Sequence, residues 1–121
     1  MTTEALPALR LKKVVVLGAN GAMGAGSAAL FAAGGCQVTL VARETSKAEA
    51  ALAQMQGITK SEVVTNGVEC ATYDDLPRLM DGVDLIFEAL AEDMALKKDI
   101  FAKVDAVRPP DAFVATVSSG L

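Results

Sequence analysis

The sequence predicts an α/β fold: a doubly wound parallel sheet of strand order 3-2-1-4-5 with helices on both faces. Three observations carry this. Short β-branched segments alternate with longer helical ones along the chain. Each strand candidate is apolar at successive positions, which suits a strand covered on both faces of a sheet. The first strand candidate runs directly into a glycine-rich loop that opens a helix. Right-handed crossovers between parallel strands then leave this order as the leading topology.

Residues 1–11 are mixed and contain Pro7, and read as a flexible arm ahead of a domain over residues 12–121. Lys13–Leu17 (KVVVL) is the first strand. A helix of small residues, Ala22–Ala33, follows the loop, and Gly34 and Gly35 stop it. Gln37–Ala42 (QVTLVA) is the second strand, and the alanine-rich stretch Glu44–Gln56 is a helix ending before Gly57. Glu62–Thr65 and Val68–Thr72 are both strand-like, around the turn Asn66-Gly67; Val68–Ala71 is the favoured third strand. Asp74–Met80 is a short helix whose Pro77 is tolerated in a first turn. Asp84–Leu90 (DLIFEAL) is the fourth strand. Asp93 caps a helix running to about Val107, with Leu96, Ile100, Val104 and Val107 on one face. Pro109 and Pro110 end it, and Phe113–Val117 (FVATV) is the fifth strand.

Composition narrows the partners. The 121 residues include 52% hydrophobic ones and carry a net charge of −4, with 11 basic and 15 acidic side chains. No basic block is present, which argues against nucleic acid. No apolar run approaches the roughly 18 residues that would span a bilayer. The first residues lack the apolar core of a signal peptide, and Cys36 and Cys70 lie outside metal-type spacing. They fit reduced thiols in a cytoplasmic protein. There is no histidine. The chain alone therefore cannot complete a mechanism that uses histidine as base, nucleophile partner or metal ligand, and no metal site is expected.

The strongest local signal is Gly18, Gly21 and Gly24 in LGANGAMG, directly after the first strand. A diphosphate needs the backbone close to it, and a Cβ at the contact would obstruct that. A helix start adds unpaired N–H groups and partial positive charge. Gly18, Asn20, Gly21, Ala22, Met23 and Gly24 are therefore candidate cofactor-binding residues. A tightly packed helix behind a glycine-rich turn is the plainer alternative, and the strand–loop–helix context favours the cofactor. The end of the second strand bears on which dinucleotide binds. A carboxylate there commonly takes the ribose 2′-hydroxyl of NAD, but this chain has Ala42 followed by Arg43. Arginine can pair with a 2′-phosphate, and Ser46 and Lys47 are near in sequence. Equally, Arg43 can be a solvated loop residue while Glu44 takes the 2′-hydroxyl. These residues leave NADP and NAD open.

Two stretches, VVVLGANGAMGAGSAALFAAGG and DLIFEALAEDMALKKDIFAKVDAVRPPDAFVATVSSGL, carry a resemblance to a known family. They resemble the N-terminal NAD-binding, Rossmann-type domain of the L-3-hydroxyacyl-CoA dehydrogenases. That family shows a strand ending in E-A, an acidic residue, a lysine-rich amphipathic helix with a phenylalanine, a proline, and a strand running into N-T-S-S-L. The resemblance spans most of residues 13–121.

It implies that Gly18, Gly21 and Gly24 line the pyrophosphate of NAD, and that Ala89 and Lys97 contact the cofactor. It places Glu92 near the nicotinamide end, and it makes Ser119 the residue that orients the substrate's 3-oxygen. The plain alternatives are a helix N-terminal acid for Glu92, a solvated Lys97 and a loop hydroxyl at Ser119. Four departures stand beside the resemblance. The loop reads G-x-x-G-x-x-G, one residue longer than the family's. The carboxylate after the second strand is missing. Val117 replaces the family asparagine. The stretch after the second helix is shorter than the family's helical insertion on the CoA side.

The resemblance implies oxidation of a 3-hydroxyacyl-CoA to the 3-ketoacyl-CoA by hydride transfer, in fatty-acid-type metabolism. The family's base is a histidine held by a glutamate, both beyond the serine pair. The expectation is thus a sheet cut short before its last strand and before the helical C-terminal domain, inactive by itself. Acyl-CoA would be the partner of the whole enzyme. The fifth strand would be an apolar edge inviting self-association. A stand-alone NAD(P)-sensing module without catalysis is the alternative. A third reading, another reductase with a GAxGxMG-type loop, explains residues 18–24 but not 84–121.

Overall fold

A computed structural model of the chain describes residues 12–18, 22–59, 67–90 and 94–116. The arm expected over residues 1–11, the strand-like segment 62–65, Asn66, the cap at Asp93 and Val117 lie outside the described residues. The elements are β1 (Lys13–Leu17), α1 (Ala22–Ala33), β2 (Gln37–Ala42), α2 (Thr45–Thr59) and β3 (Glu69–Thr72). A 3-10 turn, Tyr73–Asp75, then leads into the single-turn helix α3 (Leu76–Leu79). β4 (Leu85–Glu88), α4 (Met94–Val107) and β5 (Phe113–Thr116) complete the order. The five strands form one sheet, β3-β2-β1-β4-β5. Every pairing is parallel, as the sequence predicts.

β1 is central because its valines can be buried on both faces. Val14, Val15, Val16 and Leu17 are all fully buried. The period-2 alternation sends them to opposite sides. Val14 and Val16 join Val38, Leu40 and Ala42 beneath α1 and α2. Val15 and Leu17 join Val41 and Ile86 beneath Leu76, Leu79, Met80, Ile100 and Val104. The two covers differ in size. On the first face α1 buries Ala25, Ala28, Ala29 and Ala32, against Ala48 and Ala51 of α2. Side chains this short let the helix backbone lie close to the sheet. The second face is filled by larger aliphatic side chains, each contributing about 1.5–3 kcal/mol on burial.

Several boundaries differ from the sequence expectation, each for a local reason. α2 does not end before Gly57 but runs on to Thr59. A lone exposed glycine costs a helix only about 1 kcal/mol and need not stop it. β3 begins at Glu69, paired with Thr39, rather than at Val68. The helix expected over 74–80 is divided into a 3-10 turn and α3, with Pro77 in the first turn of α3. Pro77 has no N–H to give the Tyr73 carbonyl four residues back, so residues 73–75 close with a 3-10 bond from Leu76 and the α-helix starts only at Pro77's own turn. β4 ends at Glu88, not Leu90. Ala89 N–H still reaches the Leu17 carbonyl at 2.9 Å, but Leu90 N–H turns to the Glu88 side chain. The edge strands also lack a cover on both faces: Glu69 of β3 is exposed, as are Phe113 and Val114 of β5. On α4, Ile100 and Val104 are buried and Val107 is half-buried, on the face expected.

At the N-terminal end of the strands, Asp84 ties β1 to β4. Its carboxylate accepts the N–H groups of Lys12 and Lys13, each at 2.9 Å. Its own N–H donates to the Lys13 carbonyl at 2.9 Å, and its carbonyl accepts Phe113 N–H at 2.9 Å. The two backbone donors hold the Asp84 carboxyl below the usual aspartate value. Among the described residues, no helix is long and apolar enough to cross a membrane, and no cluster of His, Cys, Asp and Glu could hold a metal ion.

Candidate functional site

Because all strands are parallel, their C-terminal ends share one edge. The sheet order reverses between β1 and β4 at that edge, which is where open α/β sheets place their ligands. The exit from β1 is Gly18, at φ +76°, the left-handed region that favours glycine. A Cβ there would lie 2.8 Å from the Ala89 carbonyl oxygen and 3.0 Å from Leu90 Cα. Gly18 N–H donates to the Val41 carbonyl at 3.1 Å. The chain leaving β1 is thus pressed against the chain leaving β4, and only glycine fits. Gly24 is buried within the first turn of α1. Asn20 and Gly21 lie outside the described residues, as do the side chains of Ala22 and Met23.

Beneath this turn lies a buried ion pair. Glu88 ends β4 opposite Leu17 and is 1% exposed. Its Oε2 accepts Leu90 N–H at 2.6 Å and stands 3.7 Å from Lys97 Nζ. The Lys97 side chain is only 14% exposed, so it leans into the crevice from α4 rather than into solvent. The solvated alternative for Lys97 does not hold. Burying a carboxylate demands compensation, and here an N–H and an ammonium supply it.

The exits of β2 and β3 are more open. Ala42 is buried at the end of β2, and Arg43 beyond it is exposed. Arg43 lines a cleft of 360 Å³ with Thr72, Tyr73, Asp74, Asp99, Ile100 and Lys103. Lys103 faces Asp99 at 3.6 Å. Among the described residues Arg43 makes no ion pair, which leaves its guanidinium for the cleft. Burial pushes the Tyr73 phenol up to about 12, against the pull of the nearby Gly18 backbone and of Arg43's positive charge. Glu44, Ser46 and Lys47 are exposed beside Arg43.

The structure therefore brings Gly18, Ala89 and Lys97 together at the β1/β4 exits and sets Arg43 at the neighbouring one. Glu92 and Ser119 lie outside the described residues. Two residues at this edge escaped the sequence reading. Glu88 carried a usable signal: a carboxylate inside an otherwise apolar strand needs a partner. Tyr73 carried none, since nothing local ties residue 73 to residue 18. The strand exits thus gather a left-handed glycine, the start of α1, the Glu88–Lys97 pair and the exposed Arg43 along one edge of the sheet, groups whose kinds suit an anionic ligand.

A parallel sheet of this order, with a left-handed glycine at the first strand's exit ahead of a closely packed helix, defines a Rossmann-type dinucleotide-binding domain. More narrowly, the chain belongs to the 3-hydroxyacyl-CoA dehydrogenase NAD-binding domain family, whose model matches residues 13–121. It is 34% identical over 119 residues to the peroxisomal bifunctional enzyme of Cavia porcellus, covering 92% of this chain and 16% of that protein. It is 32% identical over 122 residues to the 3-hydroxybutyryl-CoA dehydrogenase of Clostridioides difficile, covering 90% of this chain and 42% of that protein. Among solved structures, 3-hydroxybutyryl-CoA dehydrogenase from Escherichia coli K12 is similar with a TM-score of 0.79 at 27% identity, covering 93% of this chain and 26% of that one. The chain thus spans less than half the length of these relatives.

Proposed function

We propose that this chain is the nicotinamide-dinucleotide-binding part of an enzyme that oxidises a 3-hydroxyacyl-CoA to the 3-ketoacyl-CoA. The observation that carries the reading is the β1/β4 exit. There the left-handed Gly18 turn abuts Ala89, and Lys97 is drawn inward by the buried Glu88. The Gly18 turn, Asn20, Gly21 and the start of α1, with Ala22, Met23 and Gly24, would hold the diphosphate. Lys97 offers it an ammonium, and Arg43 lines the cleft on the adenosine side. The bound nicotinamide supplies the hydride acceptor. Glu92 would stand near that ring, and Ser119 would orient the substrate's 3-oxygen by a hydrogen bond. No histidine is present to take the hydroxyl proton. The chain by itself is therefore expected to bind cofactor without turnover, and measurable dehydrogenase activity from it would refute that.

The family's domain favours NAD. A second reading, NADP, is favoured by Arg43 on the cleft and by the absence of a carboxylate at Ala42. Titration of the chain with NADH and NADPH by cofactor fluorescence separates them. If Arg43 holds a 2′-phosphate, Arg43→Asp weakens NADPH several-fold or more and spares NADH. If neither cofactor binds, the function proposed here is wrong.

The exposed edge gives a proposal for a partner. β5 pairs with β4 and leaves Phe113 56% and Val114 37% exposed. A second copy of this chain pairing along that edge would cover them. A monomer on size exclusion at both micromolar and millimolar concentration would rule this out. The cysteines support a cytoplasmic setting. Neither Cys36 nor Cys70 is in a disulfide, and burial raises both thiols above their ordinary value.

A further inference from the structure

The Glu88–Lys97 pair is unlike the other ion pairs among the described residues. Arg78 with Glu69 and Asp75, Lys103 with Asp99, and Arg108 with Asp105 all keep both side chains at the surface. Glu88 is buried and Lys97 mostly so, and they join the end of β4 to the first turn of α4. Stability alone does not call for such a pair, since apolar side chains of similar size would fill the space as well. Nor does the helix call for it. The first turn of α4 has no acidic side chain, and a cation there opposes the helix dipole. The next residue, Lys98, is exposed, so water is within reach of this turn. Lys97 is nonetheless folded inward.

The bonds around Glu88 show where the ammonium is held. Oε2 accepts Leu90 N–H at 2.6 Å, so the carboxylate is fixed to the β4 exit. Leu90 Cα is one of the atoms that a Cβ on Gly18 would meet, at 3.0 Å. The carboxylate is therefore bonded to the residue that walls the left-handed turn leaving β1. Lys97 Nζ lies 3.7 Å from the same oxygen, beyond hydrogen-bond length. Glu88 thus restrains the ammonium by charge without taking up its N–H donors. A free lysine loses rotamer freedom when it closes on a ligand, and a lysine already held loses less. We infer that Glu88 is a positioning residue for the nucleotide, keeping Lys97 folded beside the β1/β4 exits so that the ammonium is in place before a diphosphate arrives. The inference rests on the dinucleotide reading above.

Charge alone predicts the opposite sign. Removing a carboxylate beside an anion site makes that site more positive and should tighten binding. ADP-ribose is the probe, since it carries the diphosphate and lacks the nicotinamide. Glu88→Gln keeps an oxygen for Leu90 N–H and removes the charge that holds Lys97. It should weaken ADP-ribose roughly two- to ten-fold, the range for immobilising one long side chain on binding. In a Lys97→Met background the same substitution should change affinity by less than about two-fold, since it acts only through the ammonium. Unchanged or tighter binding by Glu88→Gln overturns the inference. So does an equal loss in both backgrounds, which is what a merely structural role would give. Amine acylation followed residue by residue by mass spectrometry reads the restraint itself. Lys97 should react more slowly than Lys98 in the unaltered chain, and Glu88→Gln should bring the two rates together; an unchanged Lys97 rate in the variant counts against the role. Should Glu88→Gln not fold, Glu88→Asp keeps the charge but draws it back from Lys97. It should show the same Lys97-dependent loss, and no loss overturns the inference. If the unaltered chain does not bind ADP-ribose, the dinucleotide reading falls and takes the inference with it. If it binds and Glu88→Gln leaves its affinity intact, the inference alone falls.

Discussion

The two ends of the sheet use the same kinds of groups for opposite purposes. At the N-terminal end, Asp84 meets two backbone N–H groups and its own peptide bridges Lys13 and Phe113. The strand starts are thereby tied to one another. At the C-terminal end, Glu88 meets one N–H and Lys97, Gly18 is held in a left-handed turn, and Arg43 faces a cleft. A carboxylate at the exposed end closes the structure. A carboxylate at the buried end holds a cation in a fixed place beside a turn that a ligand can approach. The contrast separates residues that only stabilise from those that also shape a site.

Substitutions can break or sharpen that contrast. The largest effect is expected from Gly18→Ala. Strain at a positive φ costs about 1–3 kcal/mol, and the added Cβ would meet backbone that cannot swing away. Urea unfolding should show the loss, and NADH titration should show binding abolished. Lys97→Met comes next. It leaves Glu88 buried without its counter-ion, which can cost as much as about 3 kcal/mol. Adding Glu88→Gln should recover part of that in a double-mutant cycle. Failure to recover any would mean the pair is not coupled.

Asp84→Ala tests the other end and should cost less, because the carboxylate is in contact with water. Its melting temperature should fall while NADH affinity stays unchanged. The sign with pH follows from the lowered Asp84 pKa. Its contribution is complete above the ordinary aspartate value near 4 and is lost as pH falls through the folded value. The gap between variant and parent should therefore close in acid. The smallest effect is at high pH. With its phenol raised to about 12, Tyr73 keeps its proton in the folded chain after the unfolded chain has lost it. Stability should decline as pH rises from about 10 toward 12, and Tyr73→Phe should lessen the decline.

Much of this was legible beforehand, and the reason is the same throughout. β1, β2 and α1 were bounded correctly because their patterns are local: a β-branched run, then small residues stopped by glycines. The strand order followed from handedness. The misread boundaries came from single local bonds made or missing, which no residue pattern announces. β4 ends early because the Glu88 side chain captures Leu90 N–H, and the helix near Pro77 divides because its missing N–H interrupts the ladder. Within the site, glycines and charged residues stood out by type. Tyr73 did not, since its significance depends on the neighbour across the sheet edge.

The alanine face of α1 has a last consequence. Ala25, Ala28, Ala29 and Ala32 fill much of the gap between this helix and its neighbours with single methyl groups, with Phe31 adding a ring against Phe87. One thicker side chain there would tilt the helix axis and carry its leading turn away from the strand that feeds it. A change deep in the interior could then detune ligand grip while every residue facing the ligand stayed the same.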